Sequence, residues 1–500
     1  MGFIRSLLSC WRVFLVLEIV VGVCPAQNSA YNPPGGYYQS SEGLLGSALQ
    51  AGLHTKIKGH TVIPYGSSGT VPAMRVLDAL VSDSTQVNLI YWGSGRLGNN
   101  YGGSSGQWNH EHCWPQSYGV SSGPGNSDLF NLRPADVQAN AERGNLYYAE
   151  ITNGSVPTFA PLCRKSTSSW MPRNEEKGML ARAMLYMAVR YEGDDATPDL
   201  KLSDTPNSAT YTFGKLSDLL AWHRQYPVTE AERLRNHTIY TSYQHNRNPF
   251  VDDPDYAEMI FRGVPVIHIS AIRAQAVEGG TGTNAAAVLI SRRGPVVDAL
   301  TVGLNYFGAS GTSVLVAAPS TVTIPAGTNS VEIMLEALPN PGTQGSRTLT
   351  VGTSSNTPYA AVDNPVTISI TDAATSTFDS WASGYGLSSG NASAATTADP
   401  DGDGLSNAGE FAFGTNPVDG SSRAVTQSSV TGGIKIIYLQ RSGLNYTVKS
   451  AVDLAAGFTG TVIPSKSDPQ PSGLPDGYEQ WEAILTDGNK GFLKVEVTIP

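Results

Sequence analysis

Between Trp108 and Asn145 the chain gathers the parts of a hydrolytic site. Glu111 and His112 lie in Trp108-Asn109-His110-Glu111-His112-Cys113-Trp114-Pro115-Gln116-Ser117, Arg133 lies in the run Ser127 to Asp136, and Asn140 and Arg143 follow in Asn140 to Asn145. A phosphodiester repels nucleophiles by its charge and has a poor leaving group, so its hydrolysis needs a base, a cation and charge neutralisation. His112 suits the base, because an imidazole of ordinary pKa near 6.5 is largely neutral at pH 7. Glu111 and the amide carbonyl of Asn140 offer hard oxygens, which suit Mg²⁺, Mn²⁺ or Ca²⁺ rather than a thiolate-loving metal. Two protein ligands leave the remaining positions to water and phosphate, the usual arrangement of Mg²⁺ in phosphoryl sites.

These side chains must be positioned. Neighbours on a regular strand point to opposite faces, so a strand carrying Glu111 and His112 has to end or bend there, and Pro115 supports such an end. The run from Ala135 to Arg143 has helical propensity, which puts Asp136, Asn140 and Arg143 on one helix face. A bent strand set across from that helix closes one metal site. His110 is expected to face away and takes no catalytic role. Asp128, Asn131 and Asn145 are read as tying loops to the site, and Trp108 and Trp114 as packing.

These residues resemble the endonuclease I family, secreted or periplasmic nucleases of the ββα-metal (His-Me finger) fold. The matching motifs are Trp-Asn-x-Glu-His-x-Trp-Pro-Gln-Ser at 108–117, Asp-Leu-x-Asn-Leu-x-Pro-Ala at 128–135 and Asn-x-x-Arg-x-Asn at 140–145. Lys177-Gly178, Ala181-Arg182, Tyr186-Met187, Arg190-Tyr191 and Gln244 to Phe250 extend the likeness over roughly residues 40–262. The resemblance implies His112 as general base, Glu111 and Asn140 as ligands of one divalent ion, an arginine on the phosphate, and 5′-phosphate products. Some relatives carry that arginine in a longer loop. Here the loop Tyr118 to Asn126 has none, so Arg133 and Arg143 are inferred as its substitutes.

Five hundred residues exceed what a single core usually supports, so several domains are expected. Residues 1–26 read as a signal peptide, with Arg5 and Arg12 ahead of an apolar run to Val23, although Glu18 interrupts it. No later stretch is long and apolar enough to span a membrane. Removal of the leader leaves Cys113 and Cys163; in an oxidising compartment such a pair commonly bonds, and a bridge is favoured over two buried thiols. The net charge of −10 is uneven: residues 27–262 hold 19 basic and 22 acidic side chains, whereas 263–500 hold 11 and 19. The acidity therefore lies mainly outside the candidate site, and a high-affinity basic coat for DNA is excluded.

The catalytic region, 27–262, mixes helical and strand patterns. Helices are predicted over Met179–Tyr191 and Phe213–Gln225, with a further start at Thr229 and Glu232. Lys177, Arg182 and Arg190 are read as solubilisers and ion-pair partners of such helices. Residues 263–373 alternate short Val/Ile/Thr-rich runs (Val264–His268, Ala287–Ser291, Leu300–Leu304, Thr321–Ile324, Val331–Leu335, Val366–Thr371) with turns, the pattern of a β-sandwich. Ala276 to Gly279, Ile290 to Gly294, Gly308 to Thr312 and Ile368 to Asp372 resemble a Calx-beta domain, with few of the acidic residues that bind calcium there. An adhesive or spacer role follows.

Residues 374–420 read as a linker with one short amphipathic turn at Phe378 to Trp381, then a second metal motif. In Asp399-Pro400-Asp401-Gly402-Asp403-Gly404-Leu405-Ser406-Asn407-Ala408-Gly409-Glu410 the spacing is that of a twelve-position Ca²⁺ loop. Asp399, Asp401, Asp403 and Asn407 supply side-chain oxygens, Leu405 a backbone carbonyl, and Glu410 a bidentate carboxylate. With its flank through Pro417 it resembles the thrombospondin-type-3 or dockerin-like loops of secreted bacterial proteins. Residues 421–500 form a small β domain with runs at Ile434–Leu439, Tyr446–Ser450, Gln480–Leu485 and Phe492–Ile499, suited by position to sorting or attachment. The reading is an exported or cell-surface, multidomain, divalent-metal-dependent endonuclease acting on DNA and/or RNA. Its alternatives are an adhesion or matrix-binding protein with a decayed nuclease domain, and a phosphodiesterase acting on a non-nucleic substrate.

Overall fold

The computed structural model describes residues 29–308, 311–338, 346–354, 358–371, 378–387, 392–486 and 491–498. The expected leader, 1–26, and the start of the linker, 374–377, lie outside them. The architecture is mixed α/β, with several separate sheets following one another along the chain.

In the first half, helices pack around small sheets. They are α1 (Gly46–Ile57), α2 (Thr70–Leu77), α3 (Val137–Arg143), α4 (Asn174–Arg190), α5 (Leu216–Gln225), α6 (Glu230–Ser242), α7 (Pro249–Asp252) and α8 (Tyr256–Phe261). Strands β1 (Gln86–Asn88) and β2 (Gly95–Leu97) pair, as do β3 (Trp108–His112) and β4 (Leu132–Asp136). Strand β7 (Ser169–Met171) lies between β5 (Tyr147–Tyr148) and β6 (Arg164–Lys165), and β8 (Lys201–Leu202) runs parallel to β9 (Thr212–Phe213).

Helix α4 is the spine of this half. Leu180, Met184, Leu185 and Met187 are sealed in the core with Leu49, Leu53 and Ile57 of α1, which recur every four residues on one face. It starts at Asn174, five residues before the predicted Met179, and α5 starts at Leu216 rather than Phe213. Thr229 caps α6 by accepting from the backbone N–H of Glu232 at 3.2 Å, as its position suggested.

The charged residues of α4 require a correction. Lys177, Arg182 and Arg190 do not solubilise the helix; all three are buried. Lys177 meets Glu150 at 2.9 Å, Arg182 grips both oxygens of Glu232 at 2.7 and 2.8 Å, and Arg190 reaches Asp195 at 3.1 Å and His60 at 2.9 Å. Their ion-pair role holds because a buried cation without a partner would be costly.

The second half opens with a two-sheet sandwich. One sheet orders β15 (Ser330–Leu335), β12 (Ala286–Arg293), β10 (Val266–Arg273) and β17 (Ala360–Ala361). The other orders β11 (Gln275–Val277), β18 (Val366–Thr371), β16 (Arg347–Thr353), β13 (Leu300–Phe307) and β14 (Thr321–Ile324). Val288, Ile290, Val302, Ile324, Ile368 and Ile370 fill the space between them. Val266 and Ala360 instead belong to the core of the first half.

Two more sheets follow. They order β19 (Val425–Val430), β20 (Gly433–Arg441), β24 (Tyr478–Leu485) and β23 (Ser465–Lys466), and β22 (Gly460–Val462), β21 (Asn445–Ala451) and β25 (Phe492–Thr498). Helices α9 (Phe378–Gly384) and α10 (Asn407–Phe413) precede them; α10 inserts Ala412 and Phe413 against Ile436, Tyr438 and Val448.

Candidate active site

The site is built on β3, β4 and α3. Strands β3 and β4 are antiparallel, with Glu111 opposite Arg133 and His112 opposite Leu132. Strand β3 stops at His112 but does not bend before it as expected: Glu111 and His112 both stay in register with β4, His112 sharing its face with His110 under Tyr65 and Glu111 meeting Tyr91 and Arg143. Beyond it, Asn131 holds the outgoing chain: its backbone carbonyl accepts from Cys113 N–H at 3.0 Å and its side-chain oxygen from Trp114 N–H at 2.6 Å. Helix α3 begins only at Val137. The predicted start at Ala135 fails because Ala135 and Asp136 pair in β4, and Asp136 serves as the N-cap, accepting from Gln138 and Ala139 N–H.

His112 has one nitrogen tied. Its Nε2 lies 2.9 Å from the backbone carbonyl of Asn126 and 3.1 Å from that residue's side-chain oxygen. Both are acceptors, so Nε2 carries the hydrogen and Nδ1 keeps a lone pair. Burial lowers the pKa of His112, although the bonds to Asn126 oppose this, and the ring therefore stays neutral at pH 7.

Glu111 is almost sealed, at 1% exposure, and its Oε1 receives Tyr91 OH at 2.8 Å and Arg143 Nη1 at 3.0 Å. Tyr91 OH also meets Tyr148 OH at 2.6 Å. Burial raises the Glu111 pKa, while Arg143 and Tyr91 pull against it. Asn140 donates Nδ2 to His110 O at 2.8 Å and to Asn109 Oδ1 at 2.9 Å. With both donations made from its nitrogen, Asn140 keeps its amide oxygen as the group left to accept or ligate.

Three expectations change here. Arg143 is 1% exposed, donates to His112 O and Cys113 O and forms an ion pair with Glu111, so it braces the site from behind and is not available to a phosphate. Arg133 is committed to Asp78 at 2.7 Å, an anion it shares with Arg235. His110 does not face away from His112: two positions apart on β3, both rings lie under Tyr65. Its nitrogens are occupied by Thr70 Oγ1 at 2.8 Å and Tyr101 OH at 3.2 Å, and burial pushes its pKa down to about 4.

The expected disulfide is absent as well. Cys113 and Cys163 are separate buried thiols, Cys163 donating to the carbonyl of Tyr91, and burial pushes both up to about 12. Asp128 ties loops as anticipated, accepting from Tyr186 OH, Tyr191 OH and Gln244 Nε2, whereas Asn145 is exposed. Trp108 and Trp114 are fully buried. Asn126, Tyr91 and Tyr148 were not singled out from sequence. Tyr91 lies twenty positions before Glu111 with no motif linking them; Asn126 ends the short loop after Tyr118, and its signal is a carboxamide fourteen positions after His112.

A second constellation lies at 399–410. Asp399, Asp401 and Asp403 each offer an oxygen within 4.8 Å of the others. Asp399 accepts from Gly402 and Gly404 N–H, both at 2.9 Å, and both glycines hold the positive φ that a tight loop demands. Asp401 Oδ2, Asn407 Oδ1 and Glu410 Oε2 are buried without a hydrogen-bond partner. Burial, then Asp401 and Asp403, push Glu410 up to about 7.

Comparison with known proteins defines the class. The endonuclease I family matches residues 46–255. The chain is 45% identical over 230 residues to the extracellular ribonuclease of Bacillus subtilis (strain 168), covering 45% of this chain and 78% of that protein. It is 28% identical over 151 residues to an extracellular deoxyribonuclease of Aeromonas hydrophila, covering 28% and 58%. A crystal structure of the apo Calx CBD1 domain covers 21% of this chain and 97% of that one, at 14% identity and a TM-score of 0.19. A β3–β4–α3 site with an oriented imidazole and the likeness to the Bacillus ribonuclease place the protein among the nuclease hydrolases. The chain belongs to the endonuclease I family. Among the described residues no helix is long and apolar enough to cross a membrane.

Proposed function

We propose that the protein is a secreted nuclease of the ββα-metal type that cleaves RNA and DNA with little sequence preference. The observation that carries this is His112, whose Nε2 is fixed on Asn126 so that Nδ1 is left to take a proton. Water is the nucleophile that Nδ1 activates. Attack by water requires no 2′-hydroxyl, so the chemistry does not distinguish ribose from deoxyribose, and departure of the 3′-oxygen leaves a 5′-phosphate. Glu111, through its second oxygen, and Asn140, through its amide oxygen, fit a divalent ion such as Mg²⁺, both being hard oxygen donors on one ββα unit. When bound, such an ion supplies charge neutralisation at the phosphate and at the leaving oxygen. Extracellular relatives of both ribonuclease and deoxyribonuclease name support the substrate range and the location.

The 399–410 loop is proposed to hold a separate Ca²⁺. Three partnerless buried oxygens, on Asp401, Asn407 and Glu410, support it together with Asp399 and Asp403, and the carbonyl of Leu405 completes the spacing. We further propose the divisions 27–262, 263–373, 374–420 and 421–500, the second resembling Calx-beta and the last serving attachment.

The test is hydrolysis of plasmid DNA and total RNA by the full chain after EDTA treatment, with and without added Mg²⁺. His112→Ala is expected to lower the Mg²⁺-dependent rate about 10²- to 10⁴-fold, the worth of a positioned general base. Wild-type turnover by folded His112→Ala protein would refute the assignment.

A further inference from the structure

Beside His112 stands an aromatic ring that the chemistry above does not use. Tyr65 lies on the exposed segment 61–68, its ring stacked on His112 with centroids 5.7 Å apart and planes 22° apart, and nearer still, 4.6 Å, to His110. Although pressed on two imidazoles it remains 45% exposed, and Val62 of the same segment is 52% exposed. An aromatic face open to solvent beside the proposed base invites a flat apolar group.

The segment is built to hold this ring still. Thr70 N–H donates to Pro64 O at 3.0 Å, Val71 N–H to Gly66 O at 3.0 Å, and Gly66 N–H to Thr70 Oγ1 at 2.8 Å. The same Thr70 hydroxyl meets His110 Nε2, so the turn that carries Tyr65 is fastened to the strand that carries His112. Gly69 is required there, because a Cβ would lie 2.1 Å from Pro64 O. A turn held this firmly has lost its backbone entropy before any ligand arrives, and the ring it carries rests on two imidazoles.

We infer that Tyr65 is a stacking platform for the nucleobase of a nucleotide flanking the scissile phosphate, and that the site accordingly takes unpaired strands in preference to duplex. The inference rests on the nuclease reading above. A base is one sugar removed from its phosphate, and a phosphate at His112 Nδ1 therefore brings a base within reach of a ring stacked on His112. Base–aromatic stacking accepts any base, since each has a π face, which agrees with a site that reads no sequence. It also supplies affinity to a catalytic region that has no net positive charge to attract a polyanion. A base in duplex is already stacked on both faces and must be freed before it can use the ring.

The test uses full-length protein and a short single-stranded oligonucleotide with one cleavable phosphodiester among methylphosphonate linkages, made with a base or an abasic sugar beside the cleavable bond. Tyr65→Ala is expected to raise KM on the base-bearing strand roughly tenfold or more, while leaving the abasic strand unaffected and kcat within a few-fold. Tyr65→Phe should behave as wild type. In the His112→Ala background, fluorescence of a 2-aminopurine at that position should be quenched on binding, and Tyr65→Ala should abolish the quenching. Equal KM changes on both strands, or a fall in kcat alone, would overturn the inference by making Tyr65 a support for His112. If Tyr65→Ala does not fold, a 2-aminopurine signal that is unquenched by Tyr65→Phe protein overturns it equally. Failure of the wild type to cleave either strand would overturn the nuclease reading itself.

Discussion

His112 and Glu111 are adjacent in sequence but are controlled from opposite sides. Asn126 fixes the imidazole, whereas Tyr91 and Arg143 fix the carboxylate. If Glu111 and Asn140 ligate one ion, Glu111→Ala and Asn140→Ala should each move half-saturating Mg²⁺ upward in an activity titration; an unchanged titration removes that residue from the ligand set. Arg143 carries a different expectation. Deleting one partner of a buried ion pair costs about 3–5 kcal/mol, so Arg143→Ala should lower unfolding free energy in urea by that order. A phosphate contact alone would instead raise KM at unchanged stability. The Glu-His pair and Asn140 stand out in the sequence because the chemistry proposed for them is carried by residue type and order. The arginines were misread because composition cannot tell a guanidinium facing a substrate from one that braces a carboxylate from behind.

Among the elements, strands with a buried face were the most legible: Thr321–Ile324 and Val366–Thr371 have the limits their alternation gave. Helix starts were less so. Helix α4 begins with Asn174-Glu175-Glu176, which lack apolar periodicity; Glu176 is fixed by accepting from the backbone N–H of Tyr91 at 2.9 Å, a tertiary contact. Loop 399–410 was legible through its spacing alone, and its prediction belongs at this scale. Without Ca²⁺, three carboxylates within 4.8 Å repel one another, so EGTA should increase proteolysis across 395–417 relative to Ca²⁺-loaded protein, as mapped by mass spectrometry of the fragments. Equal cleavage in both conditions would deny the loop its ion.

At the scale of the whole molecule, the sandwich is fastened to the catalytic half by side chains that sequence patterns do not reveal. His268 of β10 lies 2.8 Å from Asp255 and 3.1 Å from Asp363, and Arg293 pairs with Asp253. Bonds to Asp255 and then Asp363 raise the pKa of His268 from 6.5 to about 10. A raised pKa means that the folded state holds the proton more tightly. The contribution is therefore full below pH 6.5, declines above it, and is lost as pH rises through about 10. Thermal melts from neutral pH to about 10 should show a loss of stability in wild type that His268→Gln largely lacks; parallel curves would show that the contact contributes nothing.

The two thiols have a consequence for how the protein is made. Cys113 and Cys163 are each enclosed on their own, so the catalytic core closes without a covalent cross-link. Its refolding waits for no oxidant or isomerase and should be faster in reduced than in oxidised glutathione, because a glutathione adduct formed on either thiol of the unfolded chain does not fit the sealed native site. A secreted enzyme of this design can mature without oxygen, and once folded it keeps both thiols out of reach of the medium.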